Sequence, residues 1–447
     1  MRPPRIVFYG NFGAGNLGNE VTLQTAIEHT LLRLPAAQLV CVCTNPGDVR
    51  TRHRIEAAPS HSRGAGWSWS DLDAEPGEFP SDAATAGGRS AGSGHVPGGL
   101  GRVGGACARV VRVVFRRVPL EIAHWYRTLR LIARSDVFLV PGTGIITDAA
   151  CGSLGWPYDM FKLALLARIC GKRVVFLSVG AGPFQHRLGS WFIRQTLGLA
   201  HYRSYRDADS KRRLQAIGFD TGRDAVYPDL VFALSNAHLQ RRDAAPQRRI
   251  VALGLKDYDT PVDATDAQGY RDYLGVMADF VMSLQARGYA VRLIIGDAQF
   301  DTRVRKDLIE LLETRGAGIK PPLLLSDPLP TVAELLRQLH EADAVLSPRF
   351  HNLVLALMLT KPVIALSDLP KVTALLADLG LQRFCLSLEG LKIADLAGCF
   401  KRLEDEAAQL KPYIGETIER YRRLVEEQYV KVYTDLARAG GLVSQPE

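Results

Sequence analysis

The stretch Ser347-Pro348-Arg349-Phe350-His351-Asn352, with the apolar run 353–359, Lys361-Pro362-Val363-Ile364-Ala365-Leu366-Ser367 and Pro370-Lys371 behind it, decides how this chain is read. Residues 344–346 have the length and composition of a short buried strand, the run after Asn352 those of an apolar helix, and 363–366 those of the next strand. Arg349 and His351 therefore fall between a strand end and a helix start. In an open α/β sheet that is where ligands bind, because the crevice lies at the strands' carboxyl ends and unpaired helix N-terminal amides favour anions. A guanidinium and an imidazole there suit an anionic substrate and proton transfer. An ion pair at Arg349 and a helix cap at His351 are the plainer alternative.

Outward from this stretch the same alternation repeats. Downstream of a polar segment, strands at 250–255 and 290–295 alternate with helices at 270–287, 303–315 and 332–340. Upstream, strands at 6–9, 38–43, 136–140, 173–179 and 202–207 alternate with helices at 21–32, 158–170 and 211–217. The pattern predicts an α/β protein of two Rossmann-like parallel-sheet domains facing each other across a cleft. Residues 1–235 form the first domain, 236–248 a linker, 249–390 the second domain, and 391–447 C-terminal helices that brace the two.

Three strands of the first domain run into glycine loops. They are Gly10-Asn11-Phe12-Gly13-Ala14-Gly15-Asn16-Leu17-Gly18-Asn19-Glu20, then Pro141-Gly142-Thr143-Gly144 with Asp148, and Gly180-Ala181-Gly182-Pro183. Gly13, Gly15 and Gly18 spell the dinucleotide fingerprint. The loop is longer than the tight Rossmann turn, however, and the second strand ends in Thr44-Asn45-Pro46 without the ribose-binding acid, so an oxidoreductase reading is set aside. What survives is amide-rich backbone that can approach a ligand, or a tight turn with no ligand at all. Arg206 lies at a strand end comparable to that of Arg349.

At 447 residues with 47% hydrophobic and 23% charged content, the chain has the composition of a globular protein of about two domains. Its formal charge of +8 and pI of about 9.1 point to nucleic acid, an acidic membrane surface or anionic substrates. No zinc-finger spacing or aromatic-and-basic RNA-binding signature is present, which argues against nucleic acid. The seven cysteines show no paired metal spacing, so no metal is expected, and their scatter points to the reducing cytosol. The chain opens directly into a strand, without the apolar core of a secretory leader, and a cytoplasmic location is expected.

Residues 60–107 carry 12 of the 41 glycines and little aliphatic content, so a disordered insertion is expected there. Residues 102–134 carry eight arginines against the single Glu121, with valines interleaved in the first half. Such a helix can lie on an anionic membrane at the inner face of the cytoplasmic membrane. Valines packed on the domain beneath merely solvated arginines stand beside that reading as an equal alternative.

Taken together, Gly10 through Glu20, Ser178 through Pro183, Tyr205-Arg206-Asp207 with Ser210, Pro228-Asp229, Arg349-Phe350-His351, Lys361 through Ile364 and Ser367 through Lys371 resemble, in order, the polysaccharide pyruvyl transferase family. The resemblance runs from about residue 5 to residue 381 and omits the insertion and the C-terminal helices. It implies a glycosyltransferase-B-like arrangement of the two domains and transfer of pyruvate from phosphoenolpyruvate onto a sugar as a ketal, with no cofactor. It also implies that Arg349, His351 and Arg206 handle the donor. Asn19 stands where the family commonly has an aspartate, and Thr143 interrupts a loop that is often all glycine.

A donor carrying a carboxylate and a phosphate on one small carbon frame needs cationic anchors held apart, and the planar guanidinium binds either anion bidentately. Arg206 and Arg349 are assigned as clamps, Lys371 as a third cation and His351 as general acid. Gly13, Gly15, Asn16, Gly142, Gly144, Gly180 and Gly182 are expected to contact substrate through backbone or amide groups. Asp148 or Asp207 could accept a hydroxyl proton, and each is equally placed to cap a helix. The expected partners are phosphoenolpyruvate and a saccharide acceptor, with a lipid-linked acceptor as a hypothesis drawn from the basic segment. The rival readings are a nucleotide-sugar-dependent glycosyltransferase on the same architecture and a non-catalytic saccharide-binding relative.

Overall fold

The structure is a computed structural model that describes residues 2–62, 102–240, 249–257, 267–298, 300–316 and 323–440, with side chains described from residue 118 onward in the segment that begins at 102. The expected insertion, apart from its ends, and most of the expected linker lie outside the described residues.

In the first domain β1 (Arg5–Gly10), α1 (Leu17–Arg33), β2 (Gln38–Cys43), α2 (Pro46–His53) and β3 (Glu56–Pro59) are followed by the long α3 (Arg102–Ala133). Next come β4 (Val137–Pro141), α4 (Trp156–Ile169), β5 (Arg173–Val179), α5 (Arg187–Gly198), β6 (Tyr202–Tyr205), α6 (Ala208–Ala216) and β7 (Ala225–Val226). A short α7 (Asn236–Leu239) precedes the second domain, which runs β8 (Ile250–Leu255), α8 (Ala267–Ala286), β9 (Ala290–Ile295), α9 (Asp301–Thr314), β10 (Leu324–Leu325), α10 (Val332–Glu341), β11 (Ala344–Ser347), α11 (Phe350–Met358), β12 (Val363–Leu366), α12 (Pro370–Asp378) and β13 (Cys385–Leu386). The chain closes with α13 (Ile393–Gly440).

All pairings are parallel, in the orders β3-β2-β1-β4-β5-β6-β7 and β10-β9-β8-β11-β12-β13. Helices cover both faces of each sheet, so central strands such as Ile6-Val7-Phe8 and Val345-Leu346 are apolar at every position and buried. Helix starts are set by short polar side chains: Asn16, Asn45, Asp207 and Thr331 accept from the amide three residues on. In α1 the hydroxyls of Thr22, Thr25 and Thr30 donate to carbonyls one turn back, which lets these polar side chains be buried.

The C-terminal segment is one 48-residue helix where several were expected. Pro412 lies inside it, at a typical cost of about 3 kcal/mol. Burial of Leu396, Phe400, Ile414 and Val425, at roughly 1.5–3 kcal/mol each, outweighs that cost. At ~1.5 Å per residue the helix is about 70 Å long and reaches from the second sheet back to the first. There the Gln428 amide donates to Ser204 Oγ at 2.5 Å and its carbonyl accepts from Ser178 Oγ at 2.9 Å, while the Tyr433 and Thr30 hydroxyls share a 2.5 Å hydrogen bond. Ser178 takes a left-handed φ of 45° at the end of β5, next to a register shift that turns the following loop. One apolar cluster runs from Ile6 and Leu139 through Phe232, Ile414 and Tyr429 to Leu346, so the two domains share a core.

Candidate active site

Each sheet reverses its winding once, between β1 and β4 and between β8 and β11, which is where open α/β sheets bind ligands. The facing loops are tied together. Leu17 N donates to Gly296 O at 3.0 Å, Ala298 N to Gly15 O at 2.9 Å, and Asn16 Nδ2 to Asp297 Oδ2 at 3.1 Å. Between the domains they enclose a cavity of about 230 Å³ lined by both, with Arg206, Arg349, His351 and Lys371 on its walls.

Arg206 leaves β6 through a trough of glycines. A Cβ on Gly180 would come within 2.5 Å of its Nη2, and one on Gly144 within 3.2 Å. Its Nη1 donates to Asp229 Oδ2 at 3.3 Å, and its guanidinium carbon lies 5.4 Å from the centroid of Phe350, a residue of the other domain. Asp229 is buried and caps the short 3-10 turn Leu230–Ala233 through Val231 N. Burial pushes its carboxyl up, and Arg206 opposes this.

Arg349 is the N-cap residue of α11, and its backbone amide donates to Ser347 Oγ at 3.1 Å. Its guanidinium grips buried Asp301 bidentately, Nε to Oδ2 at 2.9 Å and Nη2 to Oδ1. The ion pair anticipated as the plainer reading is therefore real. It uses two of the five N–H donors and fixes the plane of the fork, leaving three donors for a ligand.

His351 sits in the first turn of α11 and does not cap it. A Cβ on Gly18 would fall 2.0 Å from His351 Nδ1, so α1 and α11 approach as closely as they do only because glycine is there. His351 Nε2 is 3.8 Å from Asp229 Oδ2, the oxygen that also takes Arg206. Burial, then Arg206 and Lys371, holds the imidazole well below its ordinary range. Lys371, at the start of α12 with its ammonium 5.5 Å from the Phe350 centroid, is pushed down to about 7 by burial and by Arg206, with Asp229 opposing and Arg349 adding to the shift.

Arg206 of the first domain and His351 of the second thus meet across the Asp229 carboxylate, while Arg349 reaches the same cavity held by Asp301. Four buried polar atoms on this cavity, Thr143 Oγ1, Arg206 Nε, His351 Nε2 and Asn352 Nδ2, have no hydrogen-bond partner. Three cationic side chains and these polar atoms converge on a space with no carboxylate among its lining residues; Asp229 and Asp301 stand behind it, already engaged by Arg206 and Arg349. The arrangement suits a small polyanion.

Among the other residues singled out from sequence, Asn16 and Gly144 line the cavity. Gly13 does not; it takes a φ of 76° against the Asn45 carbonyl, while Gly15 gives its carbonyl to the interdomain junction. Gly142 packs against Thr22 and Leu230, and Gly182 against Arg213. Gly180 acts through the seat it makes for Arg206. Asp148 accepts from the amides of Gln185 and His186 at 2.7 and 2.9 Å, and Asp207 caps α6, so both candidate proton acceptors are engaged in local structure. Sequence reasoning missed Asp301, Asn352 and Trp156 and gave no role to Asp229 or Gly18. The last two had signals, in the Pro228-Asp229 pair and in the third glycine of the fingerprint. Among the described residues no group of three or more His, Cys, Asp or Glu is placed to hold a metal ion.

A second cavity of about 640 Å³ lies in the second domain and shares loops with the first, through Pro348 beside Arg349 and Leu369 near Lys371. Asp257, Asp272, Asp368 and Glu389 outnumber Lys256 on its walls.

Solved structures show the same fold over nearly the whole chain. A putative UDP-N-acetylglucosamine 2-epimerase from Listeria monocytogenes has a TM-score of 0.58 at 12% identity, covering 99% of this chain and 98% of that one. A glycosyltransferase from Rickettsia africae has a TM-score of 0.58 at 9% identity, covering 98% and 99%. A UDP-GlcNAc 2-epimerase from Neisseria meningitidis, bound to UDP-GlcNAc, has a TM-score of 0.54 at 11% identity, covering 97% and 100%. These likenesses establish the glycosyltransferase-B type of architecture and nothing finer. No curated protein matches the sequence. The family model described as polysaccharide pyruvyl transferase matches residues 33–368, a span that holds the glycine loops after β4 and β5, Arg206, Asp229 and the Arg349-Phe350-His351 turn, and so the chain belongs to the polysaccharide pyruvyl transferase family.

Proposed function

We propose that the protein transfers the pyruvyl group of phosphoenolpyruvate to two hydroxyls of a saccharide as a ketal and releases phosphate. The observation that carries this reading is the convergence of Arg206, Arg349, Lys371 and His351 from both domains on one cavity of about 230 Å³. That volume is below the ~300–1,000 Å³ of pockets for drug-sized ligands and suits a three-carbon phosphate-bearing acid better than a nucleotide sugar.

In the proposed reaction Arg206 and Arg349 bind carboxylate and phosphate from opposite domains, and Lys371 adds the third positive charge. The donor's charge raises the proton affinity of His351, which the empty-handed cations lower. Protonated His351 gives its proton to the methylene carbon, leaving an oxocarbenium-like centre at the adjacent carbon. One sugar hydroxyl adds there and returns its proton to His351, the carbon–oxygen bond to phosphate breaks, and a second hydroxyl closes the ketal, its proton leaving with the phosphate.

The saccharide is proposed to enter from the larger adjoining cavity, whose carboxylates can accept hydrogen bonds from hydroxyls. The same carboxylates repel a diphosphate, which weighs against the nucleotide-sugar reading. The acceptor is proposed to be a polysaccharide precursor, with its lipid-linked form included among the substrates to be tried.

The test is phosphate release from phosphoenolpyruvate with a panel of saccharide and lipid-linked acceptors. His351→Gln is expected to abolish acceptor-dependent release while leaving calorimetric donor binding within about threefold, since positioned acids contribute roughly a hundred- to ten-thousandfold to rate. Thermal stabilisation by UDP and none by phosphoenolpyruvate would overturn the reading.

A further inference from the structure

The chain's positive charge is not spread over its surface. Helices α3, α4 and α5 together contain eleven Arg or Lys against two acids, Glu121 and Asp159, a formal +9. The whole chain carries +8, so everything outside these three helices is close to neutral. Both acids are engaged within this group of helices. Buried Lys162 pairs with Glu121 at 2.9 Å and with Asp159 at 3.2 Å, so both acids are spent on a buried lysine.

The same three helices carry apolar side chains into solvent. On α3, Val118, Ile122 and Tyr126 recur at one-turn spacing, and Ile122 is 63% exposed. Leu154, just before α4, is 73% exposed, and Leu188 and Trp191 on α5 are 50% and 41% exposed. A row of rings joins the helices. Trp125 Nε1 donates to the Tyr158 hydroxyl at 2.8 Å, the Tyr158 ring lies 5.7 Å from Phe192, and Phe192 lies 5.1 Å from Trp191. Exposed Arg127 and Arg130 of α3, Arg168 of α4 and Arg187 of α5 add cations to this three-helix face. It ends at the donor cavity, because Trp156, the first residue of α4, lines that cavity.

We infer that the α3–α5 face is a docking surface for an anionic lipid bilayer. Exposed aliphatic and indole groups enter the headgroup boundary, and arginines meet the lipid phosphates. Charge complementarity favours this occupant over a second copy of the chain, since two such faces would repel. Among the described residues no helix is long and apolar enough to cross a membrane, so contact through this face is peripheral. The inference holds whatever is transferred in the cleft.

Full-length protein is mixed with phosphatidylcholine vesicles containing about one third phosphatidylglycerol and sedimented, alongside pure phosphatidylcholine vesicles. Binding is expected only with the anionic vesicles, falling at least about tenfold in ~0.5 M salt as charges are screened. The double substitution Leu188→Glu, Trp191→Glu is expected to weaken partition by roughly tenfold or more. Leu32→Glu, at an exposed site on α1, is expected to leave partition unchanged. Equal sedimentation with both vesicle types, or none with either, overturns the inference. If the double variant loses its cooperative melting transition, the salt series on the unaltered chain decides. Sedimentation equilibrium showing a dimer that the double variant dissolves would assign the face to a second copy and also overturn it.

Discussion

Replacing Gly18 by alanine tests whether the contact between α1 and α11 sets the chemistry. The new methyl would start 2.0 Å from His351 Nδ1. Restoring an ordinary non-bonded contact of roughly 3.5 Å displaces the imidazole, or the whole of α11, by about 1.5 Å. A misplacement of ~1 Å in a positioned group can cost about a hundredfold in rate, so acceptor-dependent phosphate release is expected to fall by two orders of magnitude or more. Folding should survive. Alanine in a helix is favoured over glycine by up to ~1 kcal/mol, against roughly 1–3 kcal/mol for local overpacking. Arg206 and Arg349 reach the cavity from other directions, so donor affinity is expected to change much less than turnover. The assay pairs phosphate release with calorimetric titration of phosphoenolpyruvate. Turnover within threefold of the unaltered chain would refute the reasoning, because His351 would then tolerate a displacement that its proposed role forbids.

Asp229→Asn leaves buried Arg206 without its main counter-charge, and a loss of about 3–5 kcal/mol is expected in chemical denaturation. Phosphoenolpyruvate should stabilise that variant more than the unaltered chain, since it restores an anion beside Arg206; equal stabilisation would count against the shared-carboxylate geometry. Lys371, at about 7 in the free site, is partly deprotonated at neutral pH, and a bound anion raises its proton affinity. Donor binding is therefore expected to take up protons just above neutral pH and to weaken as pH rises through this range. Titrations in buffers of different ionisation enthalpy should show the uptake, and Lys371→Met should reduce it.

Much of the fold was legible because both domains repeat one unit of strand, loop and helix with unbroken apolar strands, as at 250–255 and 363–366. The elements that escaped, such as β7, β10 and β13, are two residues long and exist only as edge pairings, which leave no periodic signal. Arg349, His351 and Arg206 stood out because each lies at or just past a strand's carboxyl end, and the structure brings the three to one cavity. Asp301 could not. It sits 48 residues before Arg349, and its pairing depends on β9 lying two strands from β11. The glycines were harder to read than the arginines. A glycine in sequence announces a close approach but not what approaches, and only the structure separates Gly18 under His351 from Gly13 under Asn45.

The long closing helix bears on how the chain is made. Gln428 hydrogen-bonds the buried hydroxyls of both Ser178 and Ser204, and Ser178 holds the turn that leads to the Arg206 seat. During synthesis the ribosome must add more than two hundred further residues after these serines before Gln428 appears. Until α13 is added, the Ser178 hydroxyl lacks the Gln428 carbonyl that accepts from it, while Ser204 keeps the Ser178 amide and the Phe176 carbonyl as partners. A message cut short before α13 would yield a chain that contains Arg206, Arg349 and His351 but lacks the strut that holds their two domains in register.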